Sequence, residues 1–257
     1  MKQNSFKLLK VLFWPIIFMI GQFFIRLLFV ATFNNRNYSN TNLSKIIKTS
    51  NYQLKLNNYL NNNTLLMAII IAVIFIPLYY FIFKKYQNHT RIKINKLLVL
   101  ILFSMSFALF YNAYLSIICN YQVSELPLYV QIICSGLIGP IIEELIFRGI
   151  IFNKLKETYS INSSMVLTTV IFALFHASLT GIIYTFIFGY MLVNIYQYYK
   201  DLRYSILMHI SANIIVILFG IIINMHNISY NLIILAISFI FFLYFSYKLF
   251  TKTCFNK

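Results

Sequence analysis

The chain has 257 residues, of which 60% are hydrophobic and only 10% are charged. Soluble domains are about 45–50% apolar and about 25% charged, so this composition excludes an ordinary soluble domain and an intrinsically disordered chain. The 21 Lys and Arg residues far exceed the 5 Asp and Glu residues. Because the basic residues lie between apolar blocks rather than along one helical face, they indicate membrane topology and not nucleic-acid binding.

Apolar blocks long enough to cross a membrane recur along almost the whole chain. A spanning helix needs about 20 mostly apolar residues. The blocks predict an all-α, polytopic transmembrane helix bundle of about eight spans, which forms a single membrane domain over residues 1–257. The eight blocks are 9–33, 64–83, 97–119, 128–152, 164–179, 181–199, 205–223 and 231–250.

The loops between these blocks differ strongly in basic residues. Fifteen Lys and Arg residues fall on the side that holds both termini, and four fall on the other side. Those four all lie in the Asn-rich stretch 34–63, which is predicted to be a solvated connector. Since Lys and Arg accumulate in cytoplasmic loops, we expect a multi-pass protein of the cell membrane with both termini in the cytoplasm.

Two of the few acidic residues stand side by side inside the fourth block, in the sequence Gly139-Pro-Ile-Ile-Glu-Glu-Leu-Ile-Phe-Arg-Gly149. An ionisable residue within a span costs about 2.5–3.5 kcal/mol on insertion scales. Glu144 and Arg148 are spaced i,i+4 on one helix face and can neutralise each other. This structural explanation leaves Glu143, which points about 100° away, without a partner. Glu143 is therefore a candidate for chemistry.

Two further polar groups interrupt later apolar blocks. His176 lies in the fifth block, and His209 and Asn213 lie i,i+4 in the seventh, so these two share one helix face. The structural alternatives are a hydrogen-bonded core histidine and an interhelical hydrogen bond. The other two histidines, His89 and His226, fall in loops and have no such context.

The depth of these groups raises a conflict within the predicted topology. Glu143 lies two to three turns, and His209 one to two turns, below the cytoplasmic surface. A straight fifth helix would carry His176 toward the opposite surface. If the three groups meet, as polar groups in a bilayer should, the fifth helix must be tilted or re-entrant.

Together these side chains are sufficient for amide hydrolysis. A carboxylate and a histidine can deprotonate a shared water, and a second histidine with an asparagine can hold the oxyanion. The motifs Gly-x-Ser-x-Gly, Gly-x-Gly-Asp and His-Glu-x-x-His are absent. However, Glu143, His176 and His209 are also a legitimate zinc ligand set. From the residues alone, the attacking water could be bound to a metal ion or activated by a glutamate and a histidine, and both mechanisms stay open.

Three motifs occur in order on these apolar segments: Glu143-Glu144-x-x-x-Arg148, Phe172-x-x-x-His176 and His209-x-x-x-Asn213. They resemble the motifs of the CPBP family, the CAAX-protease and bacteriocin-processing family, also called Abi. This family comprises intramembrane glutamate proteases or metalloproteases. The resemblance covers roughly residues 128–220, which we interpret as the catalytic core.

The resemblance implies a CPBP/Abi-like bundle whose active site opens toward the cytoplasm. Glu143 would activate water with His176, and His209 and Asn213 would stabilise the oxyanion. Glu144 and Arg148 would hold the site electrostatically.

The expected function is that of a bacterial intramembrane endopeptidase for peptide or membrane-protein substrates within the lipid bilayer. It would act in peptide maturation, bacteriocin immunity or surface display. We expect no required cofactor, with zinc as the alternative. The competing functions are a non-catalytic immunity or scaffold protein and a transporter.

The charge asymmetry yields a prediction about topology. Reporter fusions after Lys257 and within the stretch 34–63 should report from opposite sides of the membrane, with the C-terminal fusion in the cytoplasm. A C-terminal fusion that reports from outside the cell would contradict the topology, and the cytoplasmic opening of the active site with it.

Overall fold

The computed structural model describes residues 2–38, 43–86, 91–118, 124–176, 179–223 and 228–254. Within these ranges the chain forms helices and no strand, which confirms the predicted all-α class. The helices are α1 (Lys2–Tyr38), α2 (Leu43–Ile46), α3 (Ser50–Asn62), α4 (Thr64–Phe83), α5 (Ile94–Ile118), α6 (Leu128–Lys156), α7 (Ile161–Leu174), α8 (Leu179–Tyr199), α9 (Leu202–Ile223) and α10 (Ile228–Cys254). His89 and His226 lie outside the described residues.

Six helical segments are long and apolar enough to cross a membrane by length and composition. They match six of the eight predicted blocks, and the multi-pass class is therefore confirmed with a span count close to the prediction. The six segments are Lys10–Tyr38, Thr64–Tyr86, Ile94–Ile117, Leu128–Lys156, Leu202–Gly220 and Tyr230–Leu249. Large apolar side chains are exposed on their outer faces, as expected for surfaces that contact lipid.

The fifth predicted block, 164–179, is not a full span. Helix α7 has 14 residues and is about 21 Å long, whereas the hydrocarbon core of a bilayer is about 30 Å thick. Its start is capped by Ser160, whose hydroxyl accepts a hydrogen bond from the Ser163 N–H at 3.2 Å. Helix α8, which corresponds to the sixth block, has 21 residues and packs beside α7.

The Asn-rich stretch 34–63 differs from the predicted solvated connector. Helix α1 continues to Tyr38, and the 13-residue helix α3 packs back against it. The buried Tyr52 donates its hydroxyl proton to Asn34 Oδ1 at 2.8 Å. The polar composition of this stretch did not predict a helix, because the buried face of α3 is narrow and the rest of its surface is polar.

Helix α6 occupies the centre of the bundle and departs twice from α-helical geometry. Residues Ile132–Ile138 and Leu145–Phe152 form π-helical turns, and every residue of the second turn is buried. Such turns leave backbone carbonyls in need of partners and are frequent at functional sites. The buried Asn153 supplies one partner, because its amide donates to the carbonyl of Gly149 at 2.7 Å and to Tyr196 Oη at 2.8 Å.

Two apolar clusters pack on either side of this helix. One joins the buried face of α6 to α4 and α7, with Tyr79, Ile146 and Phe172 among its members. The other joins α5, α8, α9 and α10, with Phe188 and Met208 near its centre. Two charged side chains of α6, Glu144 and Arg148, are fully buried within this packed interior.

Candidate active site

The most deeply buried charges of the described chain are an ion pair on α6. Arg148 Nη1 lies 2.7 Å from Glu144 Oε1, and both side chains are fully buried. The second guanidinium nitrogen donates to the carbonyl of Gly189 on α8 at 3.0 Å. The guanidinium also lies 4.4 Å from the ring centroid of Phe172 on α7. The i,i+4 pair expected from the spacing is thus present and connects three helices.

Gly189 makes this close approach sterically feasible. A Cβ atom at this position would lie 2.8 Å from Phe172 Cδ1 and 3.3 Å from Arg148 Nη2. A larger residue would therefore push the arginine or the phenylalanine away from α8. Sequence reasoning did not single out Gly189. Its one available signal is a glycine in the interior of an otherwise apolar helix, which often marks close packing.

His209 joins both glutamates. Its Nδ1 lies 2.9 Å from Glu144 Oε1, the same oxygen that Arg148 contacts. Its Nε2 lies 3.7 Å from Glu143 Oε2. With the proton on Nδ1, the ring donates to the Glu144 carboxylate and turns Nε2 toward Glu143. The carboxylate of Glu144 thereby fixes both the orientation and the tautomer of the imidazole.

The two glutamates differ in access to solvent although they are adjacent in sequence. The Glu143 side chain is 28% exposed, whereas that of Glu144 is fully enclosed. A carboxylate that reacts with water needs access to it, and a carboxylate that orients a neighbour does not. The division of roles, with Glu143 as the reactive group and Glu144 as the positioning group, stays a prediction that requires such a difference in exposure.

His176 follows the end of α7 and is half-buried. Its Nδ1 lies 2.9 Å from the carbonyl oxygen of Phe172, which fixes the ring and leaves Nε2 for another partner. The ring of Phe172 contacts both histidines, with centroid distances of 4.8 Å to His176 and 6.1 Å to His209.

The depth conflict disappears because α6 continues to Lys156, so that Glu143 lies deeper than the expected two to three turns. Helices α6 and α7 are joined by the residues 157–160, and Glu143 and His176 each lie about 20 Å along their helices from that connection. The two side chains are therefore at a similar distance from that connection.

Asn213 has a structural partner that the sequence did not reveal. Its Nδ2 donates to the backbone carbonyl of Ser135 at 2.9 Å. In α6 the N–H of Gly139 is bonded to Cys134, and the next residue, Pro140, has no N–H to offer. The carbonyl of Ser135 therefore lacks both regular helical donors, and the Asn213 amide takes their place. One of the two amide protons of Asn213 remains for another acceptor.

Asn213 also lines a cavity of about 370 Å³ between α5, α6, α8 and α9. The wall of this cavity combines polar groups, including Asn112, Ser135 and Tyr184, with apolar side chains of α9. The side chain predicted to bind an oxyanion is thus adjacent to a space that a substrate segment can enter.

The alternative zinc set does not fit the geometry as it stands. Across the described ranges, no three His, Cys, Asp or Glu side chains are grouped closely enough to hold a metal ion. Glu143 and His209 are neighbours, and because Nδ1 of His209 is held by Glu144 and Nδ1 of His176 by a backbone carbonyl, Nε2 is the ring nitrogen of each histidine that a metal could reach. The described side chains are thus not arranged as a three-ligand metal site.

Comparisons with known proteins agree with the motifs. A family model described as "Type II CAAX prenyl endopeptidase Rce1-like" matches residues 125–215. A Bacillus subtilis (strain 168) protein named "Putative membrane peptidase YdiL" is 32% identical over 96 residues, which cover 37% of this chain and 38% of the relative. No solved structure matches the chain. The segment with the three motifs is thus similar to CAAX-type membrane peptidases, and the predicted resemblance to the CPBP family is confirmed.

The buried ion pair leads to a prediction about stability. Glu144→Gln leaves the fully buried Arg148 cation without the carboxylate that it contacts directly. We expect a loss of about 3–5 kcal/mol, measured as a lower unfolding midpoint in detergent. The double variant Glu144→Gln/Arg148→Met removes both charges and should recover part of this loss. An unchanged midpoint for the single variant would show that the pair contributes no net stability.

Proposed function

We propose that the protein is a bacterial intramembrane endopeptidase in which Glu143 activates the attacking water. The observation that carries the proposal is the partly exposed Glu143 carboxylate, 3.7 Å from an imidazole nitrogen of His209 whose other nitrogen is held by Glu144. This arrangement combines a carboxylate with access to water and a preorganised hydrogen-bonding group. The similarity of residues 125–215 to CAAX-type peptidases supports the same activity.

In the proposed reaction Glu143, together with His176, accepts a proton from water as the water oxygen attacks the scissile carbonyl carbon. The carbonyl π electrons move to oxygen and give a tetrahedral oxyanion. His209 donates a hydrogen bond to this oxyanion from Nε2 in its imidazolium form, in which Nδ1 keeps its proton for Glu144. The second N–H of the Asn213 amide donates another. The C–N bond then breaks, and the proton held by Glu143 passes to the leaving nitrogen.

The substrate in this proposal is a peptide or membrane protein whose scissile bond reaches the site from the cytoplasmic side. The physiological role would be peptide maturation, bacteriocin immunity or surface display. A non-catalytic immunity protein with the same fold is the main competing function. It would have no need of a partly exposed carboxylate next to the imidazole of His209.

The role of Glu143 leads to a direct prediction. Glu143→Gln should abolish peptide cleavage while the purified protein keeps its unfolding midpoint, because the amide preserves shape but accepts no proton. The measurement is a cleavage assay in detergent or vesicles with a panel of membrane-anchored peptides. Glu157→Gln, at an exposed carboxylate that accepts a hydrogen bond from Tyr86, is the matched control and should retain activity. Near-normal turnover by the Glu143 variant would contradict the assignment of the base.

The contact between Asn213 and Ser135 allows the two roles of this amide to be separated. Asn213→Ala removes an oxyanion donor and should lower kcat about 10²–10³-fold with little change in KM. It also deprives the Ser135 carbonyl of its donor and should lower the unfolding midpoint. Adding Pro140→Ala restores a backbone N–H within reach of that carbonyl. We expect this double variant to recover the midpoint but not kcat.

Recovery of both quantities in the double variant would show that Asn213 acts only through the backbone of α6. The same assay tests the metal alternative. In the oxyanion mechanism a chelator leaves the native protein active, and added zinc does not restore the Asn213→Ala variant. Chelator sensitivity together with zinc rescue would favour a metal site in which Asn213 orients a ligand.

A further inference from the structure

A second cavity, of about 550 Å³, lies at one end of the bundle and shares no lining residue with the glutamate site. It is bounded by the start of α5, the last turn of α8 and the end of α10. Its wall combines the lysines Lys93, Lys96 and Lys248 with Tyr199 and apolar side chains such as Ile94 and Leu249. Among the described residues no Asp or Glu lines it, so its lining carries a charge of one sign only.

A pair of tyrosines holds the first of these lysines in place. The backbone N–H of Lys93 donates to Tyr204 Oη at 2.8 Å. The rings of Tyr199 and Tyr204 stack with centroids 4.1 Å apart, and the ammonium of Lys96 lies 5.9 Å from the Tyr199 centroid. The start of α5 is therefore tied to the junction of α8 and α9. This connection directs Lys93 and Lys96 toward one shared space.

The cavity lies where two apolar segments end. The candidate span of α5 begins at Ile94, and the candidate span of α10 ends at Leu249. Lys93, Lys96 and Lys248 thus sit at the border between hydrocarbon-facing helix and polar surface, at the level of lipid headgroups. The positive end of the α5 dipole adds to the attraction for an anion at this level.

We propose that this cavity binds the phosphate group of an anionic phospholipid. The three ammonium groups suit a phosphate, and the apolar part of the wall suits the glycerol and upper acyl carbons next to it. A free phosphate would interact with the same ammonium groups. It would gain no binding energy from the apolar wall or from the location of the cavity at the ends of the spans. Basic pockets between membrane helices at the cytoplasmic surface recognise lipid headgroups in this manner.

The test is a lipid titration of the purified full chain in neutral detergent, followed by native mass spectrometry. The probes are phosphatidylglycerol, zwitterionic phosphatidylcholine and inorganic phosphate. We expect the native protein to bind phosphatidylglycerol more tightly than phosphatidylcholine, and excess inorganic phosphate not to displace it. The triple variant Lys93→Gln/Lys96→Gln/Lys248→Gln should bind phosphatidylglycerol about 100-fold more weakly, because each lysine near an anionic group contributes roughly five-fold.

A matched control removes three lysines elsewhere. Lys10, Lys85 and Lys154 line a smaller cavity that also contains the Glu157 carboxylate, and their replacement by Gln should leave phosphatidylglycerol binding nearly unchanged. An equal loss in this control would show general attraction to the basic surface and overturn the proposal. Displacement of the lipid by inorganic phosphate would assign the cavity to free phosphate and overturn it as well. The unfolding midpoint in detergent alone verifies that each triple variant is folded.

Discussion

The fully buried ion pair between Glu144 and Arg148 is the constraint on which the rest of the site depends. A cation and an anion in an apolar bundle persist only when each is neutralised and its polar atoms are bonded. The Gly189 carbonyl, the Phe172 ring and the His209 imidazole supply contacts to the pair, although not to every polar atom of it. The interactions that neutralise the charges therefore also place His209 against Glu143.

A second constraint comes from backbone polarity at membrane depth. A proline and two π-helical turns in α6 free backbone carbonyl groups, and side-chain amides take over as their donors. Asn213 serves Ser135, and Asn153 serves Gly149. The irregular backbone of α6 and the polar side chains beside it are thus linked, because these side chains donate to the carbonyl groups that the irregular turns leave without helical donors. This arrangement gives Asn213 a structural task beside its proposed catalytic one.

The sequence alone predicted the features that depend on composition or on residues close together in one helix. Long apolar blocks predicted the all-α membrane bundle, since the bilayer permits little else. The i,i+4 spacing predicted that Glu144 pairs with Arg148, because both residues belong to one helix. The order of the three motifs predicted the resemblance to CAAX-type membrane peptidases, which the family-model match over residues 125–215 confirms.

Other features depended on contacts between segments distant in sequence, and only the tertiary structure decided them. Hydropathy did not show that α7 stops after 14 residues, because an apolar composition continues into the next helix. It did not show that Gly189 approaches Arg148, or that Asn213 compensates for Pro140 on another helix. Composition and spacing thus determined which polar groups enter the membrane, whereas packing decided which of them meet. A buried polar group bonds to whichever partner lies within about 3 Å of it.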